Sequence, residues 1–438
     1  MLKIWYLHKS FTYLKVWMLL LFAGLQLHGQ ELITLRGAVI NKETNKPIPY
    51  SSIGLIDHNI FTTSNSDGYF TFHIPQKHIN DFIGISHVGY QKARYRIKDM
   101  VNKSTFYLTP KMVFLDEIII TDNPEKFAWQ VVKQALERIS EHYPTQAYVL
   151  EGYFRKTHKI DSSYVSFLDA AIKLFDMEFA INNKKKAPEA VLVEAVRKSY
   201  DLNNKPYRSW IDDISHESNW LARLLKRNDV RYQNGLLDKK NKYTLSGSIL
   251  FNGELCYEIE VTKLPWRYTK ATTGSLIKLV IGSKTYKIFR IVHEEMAREN
   301  DFDLFGWGKQ TNDTIFSAFR GGTKILEFKD IGGKLYLNYL RETHYVDDFS
   351  IQARKTAYSN VYSWELFINK VIENVDSDLR ENMNFNNTRD NFKILDKPYD
   401  PDFWKSFNLV PFTAENKQAF KDLSVETEIE DQFKHISN

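Results

Sequence analysis

Residues 35–90 read LRGAVINKETNKPIPYSSIGLIDHNIFTTSNSDGYFTFHIPQKHINDFIGISHVGY. Runs that alternate apolar and polar side chains are separated by turn-forming residues roughly every 8–12 positions, the spacing of a sandwich of short antiparallel strands. Two turns have clear sequence signals. Residues 41–47 are polar and end in proline, and residues 62–68 end in Asp67-Gly68. This stretch contains no motif of enzyme chemistry, so it predicts a packing or recognition module.

Three short patterns inside this stretch resemble those of a known family. The first is a G-x-V strand with a T-x-x-P-I turn, formed by Gly37, Val39, Thr44, Pro47 and Ile48. The second is an S-D-G-Y-F turn at residues 66–70. The third is an I-S-x-x-G-Y run formed by Ile85, Ser86, Gly89 and Tyr90. Residues 31–109 therefore resemble the carboxypeptidase-regulatory-like domain. The resemblance implies a seven-stranded, transthyretin-like β-sandwich without a peptidase site. It also implies an exported protein of the Bacteroidota cell envelope.

Three histidines of the same region are candidate metal ligands. His73, His78 and His87 lie near one another in the sequence, but none has a ligand spacing such as H-E-x-x-H. Cys256 is the single cysteine, which excludes an intramolecular disulfide and a thiolate metal cluster. The sequence therefore predicts no metal-binding residue and no cofactor.

Composition places the chain among ordinary globular proteins. Its 438 residues suffice for about one to three domains, and aromatic residues, at 14%, favour strands. The net charge is +5. Without the three lysines before residue 30, 56 basic residues face 54 acidic ones, so there is no electrostatic case for binding nucleic acid. A cysteine-poor exported chain suits a bacterial periplasm or outer envelope.

The N-terminal residues have the pattern of a signal peptide. Lys3, Lys9 and Lys15 precede the ten-residue apolar run 16–25, which is shorter than the roughly 20 residues that span a bilayer. We predict a signal peptide over residues 1–29, cleaved after Gly29. An uncleaved N-terminal anchor is the alternative. Either way, the chain is predicted to be exported to the periplasm or to associate with the outer membrane.

A connector is predicted over residues 110–144. Residues 115–121, LDEIIIT, resemble the segment that follows such domains in TonB-dependent receptors, where a nearby segment pairs with a partner as an added strand. We favour a structural linker strand here, because no receptor barrel of 20 or more strands fits in the remaining chain. Asn123-Pro124 then begins a helix that extends through Glu141, with an apolar stripe formed by Phe127, Val131, Ala135 and Ile139.

Residues 145–438 are predicted to form a large, curled antiparallel meander with a few helices. Strands are expected over residues 148–157, 164–172, 243–251, 255–262, 275–281, 286–295, 314–319, 324–328, 334–343 and 351–367. Glycine-containing pairs at 252–253, 282–283, 321–322 and 332–333 predict the hairpin turns, and residues 215–227 predict a helix. The sheet should curl because long flat sheets are unfavourable. The predicted fold is thus mainly β with α.

The same region resembles an uncharacterised envelope family that joins this sandwich to a β-rich domain. The resemblance rests on GYFRKT at 152–157, YEIEV at 257–261, the strand pair 274–288 and PYDPDFWKSFN at 398–408. The strand order is also similar to that of the periplasmic lipoprotein carriers, whose half-barrel encloses an apolar cavity.

Candidate catalytic groups in this domain are few. His293, Glu294 and Glu295 lie on a predicted strand, where neighbours point to opposite faces, so they do not form a helical metal pair. Asp347-Asp348 is expected in a hairpin turn. Cys256 is expected in the core.

Other local patterns are equally weak. Residues 212–216 (DDISH) are read as a solvated turn rather than a cation site, and residues 184–186 (KKK) as a solvated loop or a contact to anionic lipid. The G-x-S-x-G elbow of serine hydrolases is absent, and residues 306–308 (GWG) lack the context of a dinucleotide site.

The sequence therefore predicts no catalytic residue and a non-enzymatic envelope protein that binds or scaffolds a partner. One alternative is a periplasmic lipid or lipoprotein carrier with an apolar ligand, with peripheral association to a membrane. A second alternative is an enzyme whose site is assembled from residues distant in sequence, which a cavity with converging titratable groups would support.

Overall fold

The computed structural model describes residues 31–111, 123–176, 190–199, 236–238, 240–251, 254–263, 274–296, 315–350, 355–375 and 397–435. The predicted signal peptide, the linker strand at 115–121, the helix at 215–227 and the patterns at 184–186, 212–216, 252–253 and 306–308 lie outside these residues.

The N-terminal unit is the predicted seven-stranded sandwich. Its strands are β1 (Leu32–Asn41), β2 (Ser52–Leu55), β3 (Phe61–Thr63), β4 (Tyr69–Pro75), β5 (Phe82–Ser86), β6 (Ala93–Arg96) and β7 (Thr105–Leu108), with a short helix α1 (Ile97–Met100). One sheet has the order β4-β1-β7 and the other β3-β2-β5-β6. Alternate apolar side chains meet between the two sheets, for example Leu35, Phe72 and Ile85, all fully buried. The fold prediction is confirmed here.

Turn chemistry in the sandwich follows the sequence closely. The Asn65 side chain accepts hydrogen bonds from the backbone N–H groups of Asp67 and Tyr69, and Gly68 has a φ of 80°. These contacts close the turn predicted there. One strand differs from the prediction: the sequence predicts a turn over residues 62–68, whereas Thr62 and Thr63 belong to β3 together with Phe61.

The connector helix begins where it was predicted. Helix α2 (Pro124–Glu137) has Asn123 as its N-cap, and the Asn123 side chain accepts from the backbone N–H of Lys126. A short helix α3 (Ile139–His142) follows after a break at Arg138. The apolar face of α2 is buried through Ala128, Val131, Val132 and Ala135, as an amphipathic helix on a core requires.

Ten strands form one large antiparallel sheet. They are β8 (Tyr148–Ile160), β9 (Ser163–Asp176), β10 (Ala190–Lys198), β11 (Lys242–Phe251), β12 (Glu254–Lys263), β13 (Gly274–Gly282), β14 (Ile288–Met296), β15 (Ile315–Ile331), β16 (Lys334–Ser350) and β17 (Lys355–Glu373). Their order is β10-β9-β8-β17-β16-β15-β14-β13-β12-β11. Two meanders therefore join where the first strand of one, β8, pairs with the last strand of the other, β17.

Two predicted hairpin turns of this sheet are wrong. Gly321-Gly322 lies inside the continuous strand β15, next to a bulge, and a Cβ on Gly322 would lie 2.8 Å from the Thr343 carbonyl oxygen. Asp347-Asp348 lies inside β16, which pairs on both sides. Glycine inside a strand often marks a bulge or a close backbone approach rather than a turn. These dipeptides could not be read correctly without the register of the neighbouring strands.

The two faces of the sheet have different coverings. One face carries aliphatic rows, such as Leu340, Leu366 and Ile291, and packs against α2. The opposite face packs against the sandwich and against a C-terminal segment with helices α4 (Pro401–Ser406), α5 (Ala414–Leu423) and α6 (Ile429–His435). No helix within the described ranges has the length and apolarity needed to cross a membrane.

Candidate ligand-binding site

Three neighbouring strands present rows of polar side chains on the face that meets the sandwich. Because β8, β17 and β16 pair in register, residues at alternate positions line up across them. The rows, each written in the order β8, β17, β16, are Arg155, Glu365, Arg341; then Thr157, Ser363, Thr343; then Lys159, Val361, Tyr345. These rows form the floor of a cavity.

The cavity has a volume of about 250 Å³. The sandwich contributes one wall with Tyr50, Asn65 and Ser66, and β9 contributes Tyr164. The C-terminal segment contributes the remaining wall, formed by Val410, Pro411, Thr413, Glu415 and Asn416. Three parts of the chain that are far apart in sequence therefore enclose one space. We name it the polar cavity.

Tyr50 couples the sandwich to the floor of the polar cavity. Its backbone has a φ of 54°, and its ring stacks on Tyr339 with 5.1 Å between ring centroids. The Tyr50 hydroxyl oxygen accepts a hydrogen bond from Arg341 at 3.2 Å, and the Tyr339 hydroxyl donates to Glu365 at 2.8 Å. These contacts hold Arg341 and Glu365 in place before any ligand arrives.

Beside the cavity lies a buried ion cluster formed by Arg155, Asp169 and Arg197. Arg155 donates twice to Asp169, at 2.8 and 3.1 Å, and Arg197 donates to the same carboxylate at 2.8 and 3.1 Å. Asp169 is fully buried. Burial by itself would raise its pKa, but the two guanidinium groups outweigh burial and hold the pKa of Asp169 below its ordinary value. Asp169 is therefore a fixed negative charge at neutral pH.

The same two arginines fasten the C-terminal segment to the sheet. The guanidinium carbons of Arg155 and Arg197 lie 4.6 and 5.2 Å from the ring centroid of Phe412, and that of Arg197 lies 4.8 Å from the ring of Trp404. Arg155 also donates to the Asn416 side chain at 3.3 Å. Stacking of guanidinium on aromatic rings is favourable when partly desolvated, so the ion cluster keeps this wall of the cavity closed.

Two cations that line the polar cavity have no salt bridge to another described residue. In the described part of the chain, neither Lys159 nor Arg341 has a carboxylate oxygen within 4.0 Å. The Lys159 ammonium lies 5.6 Å from the ring centroid of Tyr164, whose hydroxyl donates to Glu415 at 2.6 Å. Glu415 is therefore already engaged by Tyr164, and the positive charges of Lys159 and Arg341 remain available to a ligand.

Three residues that line the cavity, Tyr50, Tyr164 and Arg341, have raised pKa values. Burial and the nearby Glu365 raise the pKa of Tyr50, and burial with the Glu415 contact raises the pKa of Tyr164. Burial lowers the pKa of Arg341, but Glu365, Tyr339 and Tyr50 together more than offset burial, so the pKa of Arg341 is raised above its ordinary value. General acid–base catalysis works best with a pKa near the working pH, and these three groups do not supply one.

On β14, the strand that carries His293, neighbouring side chains point to opposite faces, as the alternation of a strand predicts. His293 and Glu295 point to one face of β14, with the His293 Nε2 atom 2.6 Å from the Ser275 hydroxyl and 3.6 Å from the Glu295 carboxylate. Glu294 points to the other face and pairs with Lys278 at 3.0 Å.

The single cysteine is also where it was expected. Cys256 is fully buried in the core of the large sheet. Burial and the nearby Glu254 raise the pKa of its thiol to about 12. A thiol protonated at neutral pH is a poor nucleophile.

Sequence reasoning missed the residues of the polar cavity. The signal that was available is the stretch RKTHK at 155–159, which is polar at every position. A half-buried strand would alternate, so polar residues on both faces indicate a second functional or buried-polar surface. The partners of this stretch on β16 and β17 could be found only from the register.

Comparisons with known proteins bear mainly on the N-terminal unit. Residues 35–120 match the family model of the CarboxypepD_reg-like domain. This match confirms the resemblance of the sandwich, and it spans about a fifth of the chain. No curated protein matches the chain.

Two solved structures are similar at low levels. A DUF1329 family protein from Desulfovibrio piger has 13% identity and a TM-score of 0.25, over 60% of this chain and 100% of that chain. A LolA superfamily protein from Nitrosomonas europaea has 10% identity and a TM-score of 0.20, over 57% of this chain and 95% of that chain. TM-scores this low do not establish a shared fold.

Proposed function

We propose that this protein is a non-enzymatic binding protein of the bacterial cell envelope, and that the polar cavity holds one small, hydroxyl-rich acid, such as a uronic acid. The observation that carries the proposal is the pair of cations, Lys159 and Arg341, which line the cavity and form no salt bridge with another residue that the structure describes. A charged hydrogen bond to a ligand carboxylate is the strong kind of polar contact.

The rest of the lining suits hydroxyl groups. Side chains that can donate or accept a single hydrogen bond are supplied by Ser66, Thr157, Thr343, Tyr345 and Ser363. Glu365 lies between Arg155 and Arg341 in its row, and its carboxylate oxygens can accept hydrogen bonds from ligand hydroxyl groups. A volume of about 250 Å³ lies just below the usual range of ligand pockets, which favours a single small molecule.

Binding is favoured over catalysis by the same geometry. Titratable groups do converge in the cavity, as an enzyme assembled from distant residues would require. However, Tyr50, Tyr164 and Arg341 keep their protons at neutral pH, because their pKa values are raised. Such groups can hold and orient a ligand but contribute little to proton transfer.

An acyl chain suits this cavity less well than a polar ligand. Covering Lys159, Arg341 and Glu365 with hydrocarbon would remove their contact with water without replacing it, which is unfavourable. The aliphatic face of the sheet packs against α2. These packing contacts support a polar ligand in the cavity. They favour it over the alternative prediction, in which the protein carries a lipid or a lipoprotein.

An envelope location follows from the proposed export. Its support is the basic and apolar pattern of residues 1–29, together with a chain that contains one cysteine. A binding site formed between a sandwich and a sheet also suits a recognition protein, because ligand sites concentrate at domain interfaces.

Removal of the positive charge of either Lys159 or Arg341 should weaken binding of a uronic acid. With glucuronate as probe, we expect Lys159→Gln and Arg341→Gln each to raise the Kd about 10- to 100-fold, the effect of losing one charged hydrogen bond. Isothermal titration calorimetry measures this. The exposed residues Lys42 and Arg36 provide matched controls, and Lys42→Gln and Arg36→Gln should leave the Kd unchanged.

Glucose tests the role of the carboxylate, since it has similar hydroxyl groups and no charge. Wild-type protein should bind glucuronate about 10- to 100-fold more tightly than glucose. Equal affinity for both sugars, or no binding of glucuronate and galacturonate at millimolar concentration, contradicts the proposed ligand class. Turnover of the probe that is lost in Glu365→Gln contradicts the non-enzymatic role.

A further inference from the structure

Three loops at one end of the sandwich bring two imidazoles and a carboxylate together. His58 lies in the turn between β2 and β3, His78 ends the short 3₁₀ turn Gln76–His78 after β4, and Asp81 immediately precedes β5. This cluster is separate from the polar cavity, since Tyr50 and His58 flank opposite ends of β2.

The geometry of the three ligand atoms is close to that of a metal site. The Asp81 Oδ2 atom lies 2.7 Å from His78 Nδ1 and 3.7 Å from His58 Nε2, and the two imidazole centroids are 4.4 Å apart. All ligand atoms lie within 4.8 Å of one another. Tetrahedral ligands at zinc bond lengths of about 2.0–2.1 Å are separated by roughly 3.3 Å, so small side-chain rotations would complete the site.

Two of the three ligands are held in place by the backbone. The Asp81 N–H donates to the His78 carbonyl oxygen at 2.9 Å, and the Asp81 carbonyl accepts from the Ile97 N–H at 3.0 Å. The His78 side chain is 9% exposed, whereas those of His58 and Asp81 are 41% and 43% exposed. The cluster therefore combines rigid ligands with access from solvent, which a reversible metal site needs.

We propose that His58, His78 and Asp81 form a binding site for a divalent transition metal of the zinc class, with two imidazole nitrogens and one carboxylate oxygen as ligands. The fourth position faces solvent and takes water. Two imidazoles with one carboxylate favour zinc, nickel or copper over calcium or magnesium, which prefer oxygen ligands.

The position of His58 gives the site a structural consequence. The next residue, Asn59, accepts a hydrogen bond from the Val371 N–H of β17 at 3.1 Å, and Ile60 forms a β-bridge with Lys370. A metal that ties His58 to Asp81 would stiffen the turn that joins the sandwich to the large sheet. Metal binding should therefore raise the stability of the whole chain, and not only that of the sandwich.

The sequence predicts no metal site, because its neighbouring histidines His73, His78 and His87 lack a ligand spacing. His73 contacts Thr34 at 2.9 Å, and His87 contacts the Val88 carbonyl oxygen at 2.7 Å, so both have other partners. The third ligand, His58, is 20 residues from His78. The loops that carry them meet only when the two sheets pack.

Calorimetric titration of zinc chloride into the chelator-treated mature chain tests the proposal. We expect one zinc site per chain, and His58→Ala should weaken binding at least about tenfold. His58 is exposed, so this variant should fold, which circular dichroism verifies. His73→Ala is the matched control, with unchanged affinity. Absence of zinc binding up to 1 mM (about 1,000 times a micromolar Kd), or equal affinity in wild type and His58→Ala, overturns the proposal.

Thermal unfolding gives a second readout. Saturating zinc should raise the Tm of wild-type protein and leave that of His58→Ala unchanged. An equal zinc-induced shift in both proteins at neutral pH contradicts a site that includes His58.

Discussion

Replacing Asp169 by alanine is expected to lower the free energy of unfolding by about 3–5 kcal/mol. The carboxylate is fully buried and is shared by Arg155 and Arg197. Its removal leaves two guanidinium groups near the interior without a counter-charge, and breaking a buried ion cluster on one side is far more costly than exchanging the whole cluster for apolar groups. Urea denaturation of wild type and variant measures the difference.

A matched control is the exposed pair Asp402–Lys405, with N–O distance 2.9 Å. Asp402→Ala should change stability by no more than about 1 kcal/mol, because exposed ion pairs contribute little. Trp404 and Phe412 pack on the same arginines, so Asp169→Ala should also make the C-terminal segment more sensitive to proteolysis. Equal effects of the two substitutions would show that the cluster does not anchor this segment.

The Asp169 carboxylate also makes the free energy of unfolding depend on pH. The folded-state pKa of Asp169 is lower than its ordinary value of 3.8. The unfolded state therefore binds its proton at a higher pH than the folded state does, and stability falls as the pH decreases. The contribution is fully present above about pH 4–5 and is lost as the pH falls through the folded-state pKa. Asp169→Asn should lack this component of the acid sensitivity.

Replacing Gly152 by alanine is expected to destabilise the protein by about 3 kcal/mol or more. A Cβ at this position would lie 1.9 Å from the Phe367 carbonyl oxygen and 2.9 Å from the Ile368 Cα atom. Both obstacles are backbone atoms of β17, where the pairing with β8 contains a bulge. Since β8 and β17 join the two meanders, the strain falls on the central contact of the sheet.

Gly247 offers a matched comparison, because it also lies at a bulge, between β11 and β12. Its added Cβ would meet only the Glu258 carboxylate, at 3.1 Å, which can rotate away. Gly247→Ala should therefore change the unfolding free energy by less than about 1 kcal/mol. Similar unfolding midpoints for the two variants would mean that β8 can shift away from β17 at little cost.

The elements that the sequence predicted are those whose signals are local. The strands of the sandwich other than β3, the Asn65–Gly68 turn and the Asn123 cap each depend on residues a few positions apart, and all are present. The hairpin assignments at 321–322 and 347–348 failed because a glycine pair or an aspartate pair is compatible with both a turn and a paired strand. The neighbouring strands decide between these two outcomes.

The residues of the polar cavity could not be predicted from the sequence for a different reason. Lys159 and Arg341 are 182 positions apart, and Tyr50 and Glu415 are farther still. Their convergence depends on the β8–β17 pairing and on the docking of the C-terminal segment. A register shift of one residue would move every polar side chain to the other face. No periodicity in one segment contains that information.

By itself, the sequence determined the sandwich and its family resemblance, the abundance of antiparallel strands, the connector helix and the burial of Cys256. Tertiary structure alone decided the strand order, the buried Asp169 cluster, the composition of the polar cavity and the meeting of His58 with His78 and Asp81. The physical reason is the range of the interactions. Turn chemistry, capping and alternation act between near neighbours in the chain, whereas a binding site depends on register and packing between distant segments.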